Sequence, residues 1–287
     1  MKPLKVIFKK SIETGYVPSD WKSGLIVPIY KNNGKPTECS SYRPVCLTSV
    51  VCRLLESVIL KQLVEYIHMN DLISSDQHGF LAGRSTCTNL ISCLNDWTNL
   101  CNSCTNFDII YFDFARAFDT VSHRKLLLKL RKLGIGGSIL RWLEVFLTGR
   151  VQHVRVGKSL SPPEPVLSGI PQGTILGPLL FLLYIDDLGG VLSESTMKLY
   201  AGDSKVYRPS PGVSDCLKLA EDLLRIQEWL DEWQLQLNLS KCTVLNVGHS
   251  SIQFPYRGQS QMTNGFRSSY KNACSAVVAN PNMWRIV

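Results

Sequence analysis

Two acidic side chains are placed where chemistry on metal-bound phosphates would need them. Asp113 directly follows a run rich in aromatic and branched residues, 107–112, which predicts a β-strand. Asp203 comes much later, at the tip of a predicted hairpin over 197–207. Carboxylates that converge from adjacent strands can bind a pair of Mg²⁺ ions, one to activate a hydroxyl and one to steady departing pyrophosphate. Strand-end aspartates are also common turn formers, so the pair alone leaves both interpretations open.

The elements that must hold these carboxylates are mixed. Apolar residues at helical spacing predict helices over 49–69, 87–100, 122–133, 138–147, 169–188 and 215–235. Branched and aromatic runs predict strands over 24–30, 107–112, 151–156, 197–207 and 243–247. Helices between strands of one sheet indicate an α+β or α/β domain. Residues 250–287 contain no acidic residue and show no helical or strand period.

The composition is that of a folded, basic protein. Apolar residues make up 45% of the chain and charged residues 19%, which excludes a disordered polyelectrolyte. A formal charge of +8 suits binding to nucleic acid, and it suits a basic enzyme equally well. The longest apolar run, 175–185, is shorter than the roughly 20 residues of a membrane span. The N-terminus has no signal-peptide core, so we expect an intracellular protein, in nucleus or cytoplasm, without a membrane partner.

Seven short motifs occur in the order that one family has them. They are Trp21-Lys22 with Val27-Pro28-Ile29-Tyr30-Lys31, Tyr42-Arg43-Pro44-Val45-Cys46-Leu47, Gln77-His78-Gly79-Phe80, the run from Phe112-Asp113 to His123, the run from Gly169 to Leu180, Tyr200-Ala201-Gly202-Asp203, and Leu237-Asn238 with Lys241-Cys242. From Pro18 to Lys241 the chain therefore resembles the reverse transcriptase of non-LTR retrotransposons, with the jockey and CR1-like groups most similar. Maturase-like enzymes of group II introns share some of these motifs, but the runs over 117–123 and 176–181 favour the retrotransposon branch.

The resemblance implies an α+β right-hand polymerase fold. Its fingers are expected over 1–105, and its palm over 106–248 as an antiparallel sheet backed by helices. Residues 249–287 stay unassigned, as a truncated or divergent thumb. Asp113 is expected beside the 200–203 hairpin, because one metal pair must touch both segments.

The resemblance also implies the reaction and the groups that bind metal. The reaction is extension of a DNA primer along an RNA template with dNTPs and Mg²⁺. Asp113, the backbone carbonyl of Phe114 and Asp203 are the expected metal ligands. Lys241 is the expected proton donor to pyrophosphate.

The expected dNTP-binding residues, which include Phe114, lie in the first two thirds of the chain. Lys31 and Arg43 would bind the triphosphate, since a guanidinium grips phosphate oxygens in a bidentate manner. Phe118 would exclude a 2′-hydroxyl, although a plain core aromatic is an equally good interpretation. Gln172 would contact the sugar and the template base, because Gly173 allows a close backbone approach.

One position departs from the family pattern. The family has Tyr/Phe-Ala-Asp-Asp where this chain has Tyr200-Ala201-Gly202-Asp203, and Gly202 offers no ligand. We therefore expect a defective two-metal site and reduced or absent polymerisation. The alternative function is a catalytically dead, nucleic-acid-binding remnant of the domain. A second acidic pair, Asp186-Asp187, resembles a catalytic motif but is expected to end the apolar helix that precedes it.

Overall fold

A computed structural model describes residues 2–103, 106–248, 254, 256 and 267–270. The helices are α1 (Lys2–Thr14), α2 (Ser19–Lys22), α3 (Val50–Met69), α4 (Thr86–Asn102), α5 (Ala117–Thr120), α6 (His123–Lys132), α7 (Gly137–Leu147), α8 (Gly177–Ile185) and α9 (Val213–Trp233), with 3₁₀ turns at Cys39–Ser41 and Asp186–Val191. The strands are β1 (Ser23–Tyr30), β2 (Tyr42–Leu47), β3 (Phe107–Asp113), β4 (Arg150–Val156), β5 (Ser159–Leu160), β6 (Glu164–Val166), β7 (Thr196–Tyr200), β8 (Asp203–Pro209), β9 (Thr243–Val247) and β10 (Arg267–Tyr270). Within these residues no helix combines the length and apolar character that a membrane crossing requires.

The chain forms two compact units, and each is made of two separate stretches. Unit 1 combines residues 1–72 with 118–184, and unit 2 combines 73–117 with 185–287. Each unit groups stretches of the chain that contact one another in space. The predicted fingers over 1–105 and palm over 106–248 remain a prediction, and most of the tail over 249–287 lies outside the described residues.

Unit 1 contains a mixed sheet in the order β2-β1-β4, extended by β5 and β6. Strand β1 runs antiparallel to β2, so that Ile29 lies opposite Arg43, and parallel to β4 on its other side. Helix α3 follows β2 and buries one face, whose apolar spacing matches the predicted helix. The same buried face carries one charged residue, Glu56, which is fully buried.

One predicted helix of unit 1 is too long. The helix predicted over 169–188 is confined to Gly177–Ile185, and residues 169–176 form an irregular loop. Gly169 and Gly173 have positive φ angles of 86° and 108°, which are incompatible with a right-handed helix. The side chain of Glu56 also accepts the backbone N–H groups of Ile175 and Leu176, at 2.8 and 3.1 Å, and these bonds hold the loop next to α3.

Unit 2 is built on a sheet in the order β10-β9-β3-β8-β7. The pairs β9–β3, β3–β8 and β8–β7 are antiparallel, as predicted for the palm. The outermost pair differs, because β10 runs parallel to β9. Strand β10, Arg267–Tyr270, lies in the tail that was left unassigned, and its short polar run has no period that would reveal it.

Helix α4 packs on the unit 2 sheet and closes its core. Trp97 of α4 contacts Tyr207 of β8 edge to face, with ring centroids 5.9 Å apart. Phe107 and Ile109 of β3 lie in the same buried cluster as Trp97. Burying a large apolar side chain stabilises a fold by about 1.5–3 kcal/mol, so this cluster fixes β3 and β8 as neighbours.

A buried carboxylate fastens the loop that enters β7. Asp222 of α9 is fully buried and accepts hydrogen bonds from the backbone N–H groups of Ser193 and Ser195 at 2.9 and 3.0 Å. Arg225 contacts the same carboxylate at 2.6 Å. Burial raises the pKa of Asp222, but its hydrogen bonds outweigh burial, and the net pKa is below the ordinary value.

Asp222→Asn is expected to destabilise unit 2 by about 2 kcal/mol, because its amide group opposes backbone donors with another donor. The lowered pKa means that the carboxylate stabilises the fold above the ordinary aspartate pKa and stops doing so as pH falls through the folded value. Urea unfolding at pH 7 and at pH 3 measures this effect. Equal differences between the two proteins at both pH values would contradict it.

Candidate active site

The two predicted carboxylates are direct neighbours in the unit 2 sheet. Asp113 at the end of β3 lies opposite Asp203 at the start of β8, in an antiparallel ladder that begins at Phe107 and Pro209. Residues opposite each other in such a ladder have Cα atoms about 4.5–5.5 Å apart. The expected juxtaposition of Asp113 and the 200–203 hairpin is thereby confirmed.

A two-residue turn sets the position of Asp203. Tyr200 pairs with Asp203, so Ala201 and Gly202 form the tip, one residue earlier than the predicted bend at Gly202-Asp203. Ala201 has a φ angle of 51°, in the region that a type II′ hairpin turn requires at its first position. Gly202 is the position at which the family motif has a further carboxylate.

A lysine partly neutralises the pair. Lys241 Nζ lies 2.8 Å from Asp113 Oδ2, and its side chain is largely exposed. Burial raises the pKa of Asp203, the negative charge of Asp113 raises it further, and Lys241 and Lys205 act in the opposite direction. The two carboxylates therefore repel each other, and the site favours an added cation.

Asp203→Asn is expected to raise the thermal unfolding midpoint by a few degrees in metal-free buffer near pH 7. A carboxyl whose folded pKa is raised destabilises the fold when ionised, and this cost disappears as pH falls through the folded pKa. Differential scanning calorimetry at pH 7 and pH 4 measures the effect. If Asp203→Asn raises the unfolding midpoint as much at pH 4 as at pH 7, the charge of Asp203 is not the cause.

The backbone after Asp113 is held by a short bridge to the segment before Asn238. Phe114 forms an isolated antiparallel bridge with Leu237. The hydrogen bonds of that bridge join Asn238 N to Asp113 O and Ala115 N to Gln236 O, each at 2.7 Å. Since the flanking residues make both bonds, the Phe114 carbonyl takes no part in this bridge, and its role as a ligand stays a prediction.

The site has two carboxylate side chains where the family motif leads us to expect three. Asp113 and Asp203 supply two carboxylates, and Gly202 supplies none. Across the described residues no group of three or more His, Cys, Asp or Glu side chains is placed to hold a metal ion. The predicted defect of the two-metal site stays a prediction.

In unit 1, the loop that contains Gln172 and Gly173 is held against β2. Cys46 N donates to Gln172 O at 2.7 Å. A Cβ atom on Gly173 would lie 2.6 Å from Cys46 O, and the φ angle of 108° would strain any other residue. The approach to β2 therefore requires glycine at 173, while the predicted approach of this loop to a sugar and a template base stays a prediction.

Phe118 lies in the same unit with one face covered. Its ring stacks on Phe181 at a centroid distance of 4.5 Å, and the residue is half-buried. The next residue, Asp119, accepts a hydrogen bond from Gln172 Nε2 at 3.0 Å. This geometry fits either of the two predicted roles of Phe118, packing or exclusion of a 2′-hydroxyl.

The two predicted triphosphate ligands lie close together on the β1–β2 hairpin. Arg43 of β2 is exposed and lies opposite Ile29. Lys31 follows β1 directly, and its Nζ donates to Ser40 O at 2.8 Å. Their proximity and exposure suit an anionic ligand, and their role stays a prediction.

Asp186 and Asp187 lie in the 3₁₀ turn that follows α8, as the predicted helix end requires. Asp186 Oδ2 accepts the backbone N–H of Ser74 at 2.9 Å. Neither residue lies on the β7–β8 hairpin, so the acidic pair of the candidate site is Asp113 and Asp203.

A groove of about 400 Å³ opens beside the Gln172 loop in unit 1. Its wall includes Asp119, Gln172 and the buried Arg150. The positions of Glu56, Asp119 and Arg150 were not predicted as functional. The only sequence signal for Glu56 was a charged residue on the apolar face of a predicted helix.

Solved structures with a similar fold identify this architecture. Telomerase from Candida tropicalis, in complex with the TWJ fragment of telomeric RNA, matches 88% of this chain and 46% of its own, at a TM-score of 0.59 and 12% identity. The same telomerase truncated from its C-terminal domain matches at a TM-score of 0.54 and 11% identity. The fold is thus that of a reverse-transcriptase-type right-hand polymerase.

Sequence comparison gives the family. The profile described as reverse transcriptase (RNA-dependent DNA polymerase) matches residues 29–264, so the chain belongs to that family. The RNA-directed DNA polymerase from mobile element jockey of Drosophila melanogaster is 30% identical over 88% of this chain and 28% of its own length. The probable polymerase from transposon BS of the same fly is 30% identical over 83% of this chain and 27% of its own. The chain thus spans little more than a quarter of these relatives, and the family match extends past Lys241, where the last of the seven motifs lies.

Proposed function

We propose that this chain is the polymerase core of a non-LTR retrotransposon reverse transcriptase, and that Gly202 leaves this copy with little or no activity. The reaction in question extends a DNA primer along an RNA template with dNTPs. The observation that carries the proposal is the pairing of Asp113 with Asp203 at one end of an antiparallel sheet, within a chain of this family. An intracellular location, in nucleus or cytoplasm, is part of the proposal.

The proposed roles in unit 2 follow from charge. Asp113, Asp203 and the Phe114 carbonyl would contribute oxygen ligands to Mg²⁺, which supplies Lewis-acid activation when bound. The mutual repulsion of the two carboxylates supports this role, because a cation relieves it. Lys241, already 2.8 Å from Asp113, would carry the proton for departing pyrophosphate.

The proposed roles in unit 1 concern the nucleotide. Lys31 and Arg43, both exposed on one hairpin, would bind the triphosphate. Gln172 would orient the sugar and the template base, with its side chain held by Asp119. Phe118, braced by Phe181, would reject a 2′-hydroxyl.

A second candidate function is nucleic-acid binding without catalysis. Gly202 favours it, since the described residues lack a third carboxylate at the site. The formal charge of +8 supports binding to phosphates in either case. The two functions differ in whether replacing the missing ligand restores synthesis.

Primer extension on an RNA template tests the proposal. The protein and its Gly202→Asp variant are compared with Mg²⁺ and dNTPs, and with rNTPs as the substrate control. Extension by the variant alone, with dNTPs preferred, supports a polymerase disabled at one ligand. If neither protein extends the primer but the template binds in a gel-shift assay, the nucleic-acid-binding function is supported instead. Equal extension by both would refute the proposed impairment.

A further inference from the structure

The segment over 74–79 runs alongside β7, near the tip of the candidate site. Leu199 N donates to Asp76 O at 2.9 Å, and His78 N donates to Leu199 O at 2.8 Å. Gln77 thereby pairs with Leu199 in a parallel bridge. This segment contains the motif Gln77-His78-Gly79-Phe80, for which neither the metal ligands nor the nucleotide contacts provide a role.

The side chain of Gln77 reaches the tip itself. It is fully buried, and its Oε1 accepts two backbone N–H groups, from Gly79 at 2.8 Å and from Ala201 at 3.0 Å. Because both partners are donors, the oxygen must face them, and the orientation of the amide is unambiguous. The Nε2 group has no acceptor among the described residues, so the buried amide serves the turn through its oxygen.

Two further features show that the turn depends on this contact. Ala201 has a φ angle of 51°, a conformation that residues with a side chain rarely adopt unless their surroundings hold them there. A Cβ atom on Gly79 would lie 2.3 Å from Ala201 N, so the two backbones touch and only glycine fits. Ala201 and Gly202 are the two residues that connect Tyr200 to its partner Asp203.

We propose that Gln77 is a positioning residue of the reverse transcriptase site: its Oε1 fixes the Ala201–Gly202 turn and thereby holds Asp203 beside Asp113. The inference rests on the proposed function for its catalytic consequence. Arg84 supports the arrangement from outside, since its guanidinium donates to Ser74 O at 2.8 Å and also to Gln77 O.

Two substitutions of Gln77 separate the hydrogen bonds from the bulk of the side chain. Gln77→Leu removes the acceptor, and Gln77→Glu keeps an oxygen that can accept both N–H groups. Asn89→Leu is the matched control: Asn89 is also buried and bonds to Leu199 O of the same hairpin at 3.1 Å, but it does not reach the turn. All three are made in the protein and in its Gly202→Asp variant.

The first measurement is amide hydrogen exchange by NMR. In Gln77→Leu the amides of Gly79 and Ala201 are expected to exchange about tenfold faster, while the Leu199 amide stays protected. Gln77→Glu and Asn89→Leu should keep Ala201 protected to within about threefold. Unchanged protection of Ala201 in Gln77→Leu, or equal loss in Asn89→Leu, overturns the proposal.

The second measurement is primer extension in the Gly202→Asp background. Gln77→Leu is expected to lower kcat about tenfold with little change in KM for dNTP, because a small displacement of a ligand slows the reaction step. Gln77→Glu should recover part of the loss in kcat. An equally large fall in kcat in Asn89→Leu would contradict the role of Gln77 as a positioning residue. If Gly202→Asp extends no primer, the proposed function fails, and the exchange rates still decide whether Gln77 holds the turn.

Discussion

Gly202→Asp is expected to extend an RNA-templated primer at least about 100-fold faster than the unmodified protein, because a ligand misplaced by about 1 Å already costs that factor. The new carboxylate would stand at the hairpin tip, one residue before Asp203, which pairs with Asp113. Gly202 is not among the described glycines with positive φ, so its backbone conformation is open to residues other than glycine. Steady-state extension rates at saturating dNTP and Mg²⁺ measure the gain.

Controls separate ligand chemistry from turn geometry. Gly202→Asn has nearly the same size and turn preference but no charge, and it should gain little. Asp113→Asn added to Gly202→Asp should remove the gain, because the carboxylates act as a unit. A thermal melt adds a readout that is independent of activity: the third carboxylate should lower the midpoint without Mg²⁺ and restore it with Mg²⁺. A gain in Gly202→Asn equal to that in Gly202→Asp would exclude the ligand explanation.

Arg150→Leu is expected to destabilise unit 1 by about 3 kcal/mol, because it removes a buried, charged hydrogen-bond donor and the positive charge that favours ionised Glu56. Arg150 is 2% exposed; its Nη1 donates to Phe146 O at 3.0 Å, and its guanidinium lies over the Phe146 ring. Burial raises the pKa of the fully buried Glu56, and the positive charge of Arg150 opposes that rise. Loss of Arg150 therefore weakens the carboxylate that anchors the loop after Gln172.

Chemical unfolding at pH 7 measures the destabilisation, with Arg155→Leu on the exposed side of the same strand as the control. Arg155→Leu should change stability by no more than about 0.5 kcal/mol. Glu56→Gln keeps an acceptor for Ile175 and Leu176 without the charge, and in Arg150→Leu it should recover part of the loss. Because the folded pKa of Glu56 is raised, the deficit of Arg150→Leu should shrink as pH falls and Glu56 takes up a proton. A deficit independent of pH would rule out the charge explanation.

The local sequence determined most elements of the fold and the outline of the site. Periodic apolar residues are enough to locate α3, α9 and β3, because burial of one face requires that period. Asp113 and Asp203 could be identified from strand ends and turn residues, and Gly202 from the motif that it interrupts. The order of the seven motifs also indicated the family.

Tertiary structure decided features that have no local period. The loop over 169–176 looked helical because its apolar residues are dense, but positive φ at Gly169 and Gly173 and the bonds to Glu56 end the helix at Gly177. Strand β10 forms by pairing with β9, a contact between distant segments that short-range patterns do not encode.

The buried residues that hold the site in place could also be identified only from the tertiary structure. Gln77 lies far from Ala201 along the chain, and its 3.0 Å hydrogen bond to that amide exists only in the folded protein. The same holds for Glu56 and the amides of Ile175 and Leu176. The groups that carry the chemistry can be recognised in the sequence because their residue types and motifs are distinctive. The buried groups that hold them cannot be recognised there, because a buried amide or carboxylate acquires its role from partners that only the fold supplies.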